Sequence, residues 1–124
     1  MLIYEELSHE IYGAAIEVHR EIGPGLLESA YEECLCRELS LRKIGFERQV
    51  PQAVQYKGVK LDCGYRMDVV VDNRVVLELK AVESLEAIHE AQLMTYLRLS
   101  MKKLGFLMNF NVPLMKDGII RRFL

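Results

Sequence analysis

The chain has few cysteines, no long apolar run and no excess of basic residues, and each of these is a feature that marks a class of protein. It has three cysteines among 124 residues, Cys34, Cys36 and Cys63, and the first two have a C-x-C rather than a C-x-x-C spacing. The odd number and the lack of a second Cys or His pair argue against a disulfide framework and against a zinc site. We therefore expect buried or half-buried thiols in a reducing compartment.

Long apolar runs and an excess of basic residues are missing as well. No apolar stretch approaches the roughly 20 residues that span a bilayer, and Glu5 and Glu6 follow the start too closely for a signal peptide. With 16 basic and 18 acidic residues, the formal net charge is -2, which excludes a polybasic binder but not a local basic patch. These absences predict a cytoplasmic protein without a membrane partner.

The composition is that of a globular domain. Hydrophobic residues make up 51% and charged residues 27% of the chain, and its length is close to the commonest size of one domain. We predict a single domain over residues 1–124.

Hydrophobic periodicity predicts the element order α-α-β-β-β-β-α-β-β. Apolar residues three and four apart indicate two helices, separated by Gly23-Pro24-Gly25, and a third helix that Ser84 would cap. Alternating apolar residues indicate strands between and after these helices. The predicted helices are 3–22, 27–43 and 84–103, and the predicted strands lie within 46–51, 53–61, 65–71, 75–80, 106–111 and 119–123, with a turn at 57–58.

Residues 65–71 and 75–80 form the clearest hairpin in the sequence. A three-residue connection, 72–74, places Asp68 opposite Glu78 and separates apolar from charged side chains. The apolar face would carry Met67, Val69, Val71, Val75, Leu77 and Leu79. The other face would pair Val70 with Val76 and carry the charged residues Arg66, Asp68, Glu78 and Lys80.

Two opposed carboxylates on one strand face are suited to binding a metal ion. Their Cβ atoms would lie about 5 Å apart, and without a cation they would repel each other so that one tends to take a proton. Oxygen ligands favour Mg²⁺ or Mn²⁺ over zinc, and Lys80 could neutralise charge on a phosphate. The alternative is a solvated face with cross-strand ion pairs. The apolar flanking segments favour a covered hairpin, where unpaired carboxylates would be costly.

The hairpin also resembles a known signature. Asp68, followed after nine residues by Glu78-Leu79-Lys80, is similar to the motif of PD-(D/E)XK nucleases, with Met67 at the position that the name gives to Pro. Two further motifs extend the resemblance. Gln92 and Tyr96 are similar to the Q-x-x-x-Y element of RecB-type members, and residues 25–31 match the G-x-x-E-x-x-Y motif of a group of small proteins in that superfamily.

This resemblance implies a restriction-endonuclease-like α/β (α+β) fold, a mixed sheet flanked by helices. It also implies an enzyme that hydrolyses nucleic-acid phosphodiester bonds, DNA before RNA, with a water activated by Mg²⁺ or Mn²⁺. The implied metal ligands are Asp68, Glu78 and Glu28. The implied catalytic residues are Glu28, Asp68, Glu78, Lys80 and Gln92, and the candidate substrate-binding residues are Arg66, Tyr31 and Tyr96.

Several of these residues also have structural interpretations. Glu28 is equally well explained as an acid favoured by the helix dipole in a first turn. Tyr31 and Tyr96 have the alternative of core-facing rings whose hydroxyls find a partner. The three histidines, His9, His19 and His89, are expected on helix surfaces. The basic residues Lys57, Lys60, Arg98, Lys102 and Lys103 form either a phosphate-facing patch or ordinary solubilising charge.

Two alternative functions stay open at the level of sequence. One is a nuclease fold without catalysis that binds nucleic acid or a protein partner. The other is an interaction protein that forms a homodimer through a sheet edge or a helix pair. The sequence does not distinguish endonuclease from exonuclease action, and it contains no sequence-reading motif such as a zinc finger.

Overall fold

Two helices form where the apolar residues recur every three and four positions. A computed structural model of the protein describes residues 4–124, so the predicted helix start at Ile3 lies outside the described residues. Helix α1 covers Glu5–Ile22 and helix α2 covers Glu28–Leu41. Gly23 ends α1 with a φ of 77°, a value that glycine adopts without strain.

Within residues 4–124, five strands form one mixed sheet, and they are β1 (Phe46–Pro51), β4 (Arg66–Val71), β5 (Val75–Lys80), β6 (Leu104–Asn109) and β7 (Ile119–Phe123). The sheet order is β1-β4-β5-β6-β7, and only the β5–β6 pair is parallel. A parallel pair needs a long connection, which helix α3 (Ala87–Ser100) supplies between β5 and β6.

The remaining two strands form a separate hairpin. Strand β2 (Val54–Tyr56) pairs with β3 (Val59–Leu61), and Lys57 and Gly58 form the connecting turn with φ values of 49° and 82°. The predicted strand segment 53–61 is thus divided into two strands at the predicted turn, so that five strands rather than four precede the third helix. The rest of the predicted order and the α+β class are confirmed.

Both faces of the sheet are covered by helices. On one face, α1 and α2 pack against Val69, Leu77 and Leu79. On the other face, α3 packs against Val70 and Val76. Because β5 is enclosed from both sides, its residues 75–79 are all buried, as expected for a central strand. A functional group on β5 therefore lies at the centre of the molecule.

The start of α3 differs from the prediction. The helix begins at Ala87, and its N-cap is Glu86 rather than Ser84. The Glu86 side chain accepts a backbone hydrogen bond of the first turn, while His89 Nδ1 accepts the Glu86 N–H at 2.9 Å. This reciprocal capping satisfies two otherwise unpaired donors.

Two expectations about single residues are wrong. His19 is buried rather than on the helix surface, because its Nε2 lies 2.7 Å from the carbonyl oxygen of Val112. Cys63 is exposed, whereas Cys34 and Cys36 are half-buried and buried. Burial raises the pKa of the Cys36 thiol to about 11, which keeps the thiol protonated at neutral pH. Within residues 4–124, no helix combines the length and apolar character that crossing a bilayer requires.

Candidate active site

The β4–β5 hairpin has the register that its apolar pattern predicts. Val69 pairs with Leu77, and Val71 pairs with Val75. In the turn, Asp72 and Asn73 adopt φ values of 51° and 54°, a conformation that these two residue types tolerate better than most. The regular pairing of the backbones stops at Val69.

Beyond that point, side chains of Asp68 and Glu78 take over the cross-strand hydrogen bonds. The backbone N–H of Asp68 donates to Glu78 Oε2 at 2.9 Å. The backbone N–H of Leu79 donates to Asp68 Oδ2 at 2.8 Å. Each carboxylate is thus held by the backbone of the opposite strand, and the two acids meet where the ladder ends.

The end of the regular ladder at Val69 also explains why the predicted position of Met67 is wrong. Met67 packs with Val70 and Val76 under α3, not with Leu79 on the opposite face. The β1–β4 ladder likewise lacks the pair between Asp68 and Gln49, whose φ is 49°. Because the ladder is interrupted on both sides of Asp68, strict alternation of side chains does not continue to Met67.

The two acids are poorly compensated in charge. Glu78 is only 4% exposed and Asp68 is half-buried. Burial first, and then the charge of Asp68, raises the pKa of Glu78 to about 8. Burial also raises the pKa of Asp68, against the lowering effect of the Leu79 N–H. The charge of the half-buried Lys80 lowers both pKa values, but it does not outweigh burial.

The charges of two glutamates of α2 act on this pair. Glu28 is exposed in the first turn of α2, and its charge makes a small contribution to the raised pKa of both Asp68 and Glu78. Glu32, one turn later, is buried and accepts hydrogen bonds from Arg48 Nε at 3.0 Å and from Gln49 Nε2 at 2.7 Å. The Glu32 charge also raises the pKa of Asp68, although it contributes less than burial does.

Sequence reasoning missed Glu32. The available signal was its spacing of four from Glu28, which puts both carboxylates on one helix face.

Helix α3 brings Gln92 and Tyr96 to the other side of the site. Gln92 Nε2 donates to Tyr96 Oη at 3.3 Å. Burial raises the pKa of Tyr96, and the next largest cause is the charge of Glu78. The charge of Glu78 therefore acts on the tyrosine hydroxyl, while the assignment of Gln92 and Tyr96 to the site stays a prediction.

These features agree with a comparison against protein families. A model of the PD-(D/E)XK nuclease superfamily matches residues 5–123. The chain belongs to this superfamily. No curated protein and no solved structure matches it significantly. The predicted restriction-endonuclease-like fold is confirmed, whereas the narrower G-x-x-E-x-x-Y group stays a prediction.

One predicted substrate contact in this PD-(D/E)XK protein is not supported by the geometry. The Tyr31 ring is fully buried and stacks on Phe110 with ring centroids 4.6 Å apart. Its hydroxyl donates to the carbonyl oxygen of Gly23 at 2.6 Å and accepts the N–H of Leu26 at 3.2 Å. The structural alternative applies, because Tyr31 holds the loop before α2 and so positions Glu28.

Other predicted contacts lie at the surface. Arg66 is exposed, and its Nη1 donates to the carbonyl oxygen of Gln49 at 3.4 Å. Of the predicted basic patch, Lys60 and Lys102 line one groove of about 570 Å³ together with Asp62. These positions leave the substrate-binding assignment of Arg66 and of the patch as predictions.

The donor set of this PD-(D/E)XK protein fits a divalent cation in its chemistry. Asp68 and Glu78 offer hard oxygen atoms, and both carry raised pKa values that a bound cation would reverse. Within residues 4–124, however, no group of three or more His, Cys, Asp or Glu side chains is arranged to hold a metal ion. Divalent metal ions are typical of the superfamily, while Glu28 as a third ligand stays a prediction.

Proposed function

We propose that the protein is a divalent-metal-dependent nuclease. Its active site, formed by Asp68 and Glu78, would hydrolyse the phosphodiester bonds of nucleic acid. One observation carries the proposal: the two carboxylates lie together at the end of the ladder, each held by a backbone N–H of the other strand. Lys80 is close enough to influence both. Membership of the nuclease superfamily supports the same reaction.

Asp68 and Glu78 would hold Mg²⁺ or Mn²⁺. When bound, the cation would stabilise negative charge on a phosphate and lower the pKa of a water molecule. Because the backbone N–H groups already fix both carboxylates, little rearrangement is needed before the reaction. This preorganisation is the main contribution of the hairpin.

The surrounding residues would act on the substrate and on water. The Lys80 ammonium stabilises the charge that develops on the phosphate. Glu28, at the exposed start of α2, orients a water molecule or adds an oxygen ligand. Gln92 borders the site from α3 through its hydrogen bond to Tyr96. We propose DNA as the first substrate class to examine and RNA as the second.

A cleavage assay with matched variants tests this proposal. Single-stranded DNA, double-stranded DNA and RNA are incubated with Mg²⁺ or Mn²⁺ and the wild type, Asp68→Asn, Glu78→Gln or Lys80→Met. We expect metal-dependent cleavage by the wild type and a loss of at least about a hundredfold in each variant, in the range found for removing one group that stabilises the transition state. Chelation of the metal should stop the reaction.

Two exposed residues provide the controls, since Glu21→Gln and Lys116→Met remove the same charges elsewhere. Both should cleave like the wild type. Equal cleavage by the wild type and by Asp68→Asn would mean that the activity comes from elsewhere, and the proposal would be wrong.

A nuclease fold that binds without cutting is the second candidate. It is favoured by the finding that, in the part of the chain that the structure describes, no three His, Cys, Asp or Glu side chains are arranged to hold a metal ion. Calorimetry with Mn²⁺ separates the candidates, because metal binding that Glu78→Gln abolishes, without cleavage of any nucleic acid, would favour the binding module. A cytoplasmic location and a homodimer stay predictions.

A further inference from the structure

A groove beside the candidate active site shares Gln92 with it but has no ligand in the mechanism above. It has a volume of about 460 Å³ and lies between α3 and the base of the β2–β3 hairpin. Two of its apolar side chains are open to solvent, since Tyr65 is 47% exposed and Ile88 is 69% exposed. The side chains that matter here are Val54, Tyr65, Ile88, Gln92, Tyr96 and Leu99.

The Tyr65 ring is an exposed surface in a fixed position. Its backbone carbonyl oxygen accepts the N–H of Gln52 at 2.8 Å. Its ring makes an edge contact with Tyr96, with centroids 6.3 Å apart and planes at 67°. A ring that packs on a neighbour and is carried by a hydrogen-bonded backbone loses little freedom when a flat ligand stacks on it.

The groove also offers polar atoms of the kind that read a base edge. Gln92 donates one N–H to Tyr96 Oη, and a side-chain amide has a second N–H donor and an acceptor oxygen. The hydroxyl of Thr95 lies in the same lining. An aromatic platform with a few polar groups suits an unstacked nucleobase, which presents a flat face and hydrogen-bonding edges.

The groove neighbours the acidic site. Tyr96 lines the groove and packs in the same cluster as Met67, the residue that precedes Asp68. Tyr65 lies three residues before Asp68 in the chain, which corresponds to roughly 10 Å of extended backbone. A strand whose phosphate lies at the acids can therefore place a neighbouring base in the groove.

We propose that this groove binds one unpaired nucleobase of the substrate strand, with Tyr65 as its stacking partner. The ligand class rests on the proposed nuclease function. A base in a duplex is paired and stacked and cannot enter such a groove without being extruded. The favoured substrate is therefore a single strand or a frayed end.

Binding without divalent metal tests the groove separately from the chemistry. The probes are a short oligothymidylate, an abasic oligonucleotide of equal length, and the duplex of oligothymidylate with oligoadenylate, each measured by fluorescence anisotropy with a chelator present. We expect Tyr65→Ala to weaken oligothymidylate binding by about tenfold to a hundredfold, the range for loss of one stacked base. Tyr65→Phe should bind like the wild type, as should Tyr56→Ala, which removes another exposed tyrosine outside the groove.

The lack of tryptophan in the chain allows a direct readout. Tyr65→Trp introduces a single indole into the groove, and we expect oligothymidylate to quench its fluorescence while the abasic oligonucleotide does not. Equal affinity for the abasic oligonucleotide and oligothymidylate, tighter binding of the duplex, no binding by the wild type, or an unquenched indole would each overturn the proposal. A change in solution mass on Tyr65→Ala without a change in affinity would instead identify the groove as a contact between copies.

The two proposals fail in different ways. Metal-dependent cleavage that Tyr65→Ala leaves unchanged would support the nuclease and overturn the base site. Binding to oligothymidylate that depends on Tyr65, without cleavage under any metal, would support the base site and count against the nuclease.

Discussion

Glu78 is expected to make the metal-free protein less stable as the pH rises. In the folded state, mainly burial raises its pKa from the ordinary value of 4.5 to about 8. Between these values the folded state binds more protons than the unfolded state, so the free energy of unfolding falls with increasing pH. The stabilisation is complete below pH 4.5 and is lost as the pH passes through about 8.

The size of this effect follows from the shift. A loss of about 1.4 kcal/mol per pH unit accumulates to about 5 kcal/mol over the whole window. The charged groups that act on Glu78 are Asp68 and Glu28, which raise its pKa, and Lys80, which lowers it. The pKa of Asp68 is raised as well, so protonation of Asp68 also stabilises the metal-free protein at low pH.

Replacement of Glu78 by Gln removes the titration and keeps an oxygen that can accept the Asp68 N–H. Urea unfolding with a chelator present, between about pH 5 and about pH 8, measures the free energy of unfolding of both proteins. We expect Glu78→Gln and the wild type to differ little at the acidic end and the variant to be more stable by several kcal/mol at the alkaline end. Glu21→Gln, at an exposed position, is the control. Parallel pH profiles for Glu78→Gln and the wild type would refute the reasoning.

Three further outcomes are expected. Mn²⁺ should raise the melting temperature of the wild type more at about pH 8 than at about pH 6, since protonated Glu78 competes with the cation, and should not raise that of Glu78→Gln; an equal rise in both would contradict this. Tyr31→Phe should lower the free energy of unfolding by about 1–2 kcal/mol, because two hydrogen bonds are lost, and should leave KM for nucleic acid unchanged in a cleavage assay. Gly118→Ala should destabilise the fold by about 1–3 kcal/mol in urea unfolding, because a Cβ there would clash with the Asn109 carbonyl oxygen, whereas a Cβ at Gly45 would meet open space and Gly45→Ala should change little.

Local pattern was enough to predict the three helices, most of the strands and the hairpin register. The spacing of apolar residues distinguishes helices from strands, and a slip of one residue in the hairpin would have mixed charged with apolar side chains on both faces. For the same reason the meeting of Asp68 and Glu78 was predictable, because opposed positions on a hairpin are neighbours whatever else the chain does.

Tertiary structure alone decided which distant side chains join or leave the site. The burial of Glu32 against Arg48, the loss of Tyr31 to the core, and the position of Tyr65 against Tyr96 depend on how α2 and α3 pack on the sheet. The side of the sheet on which Met67 lies also escaped the pattern, because Asp68 interrupts the ladder that enforces alternation. Periodicity reports which face of an element is apolar, whereas the partner across that face is set by packing between segments far apart in the chain.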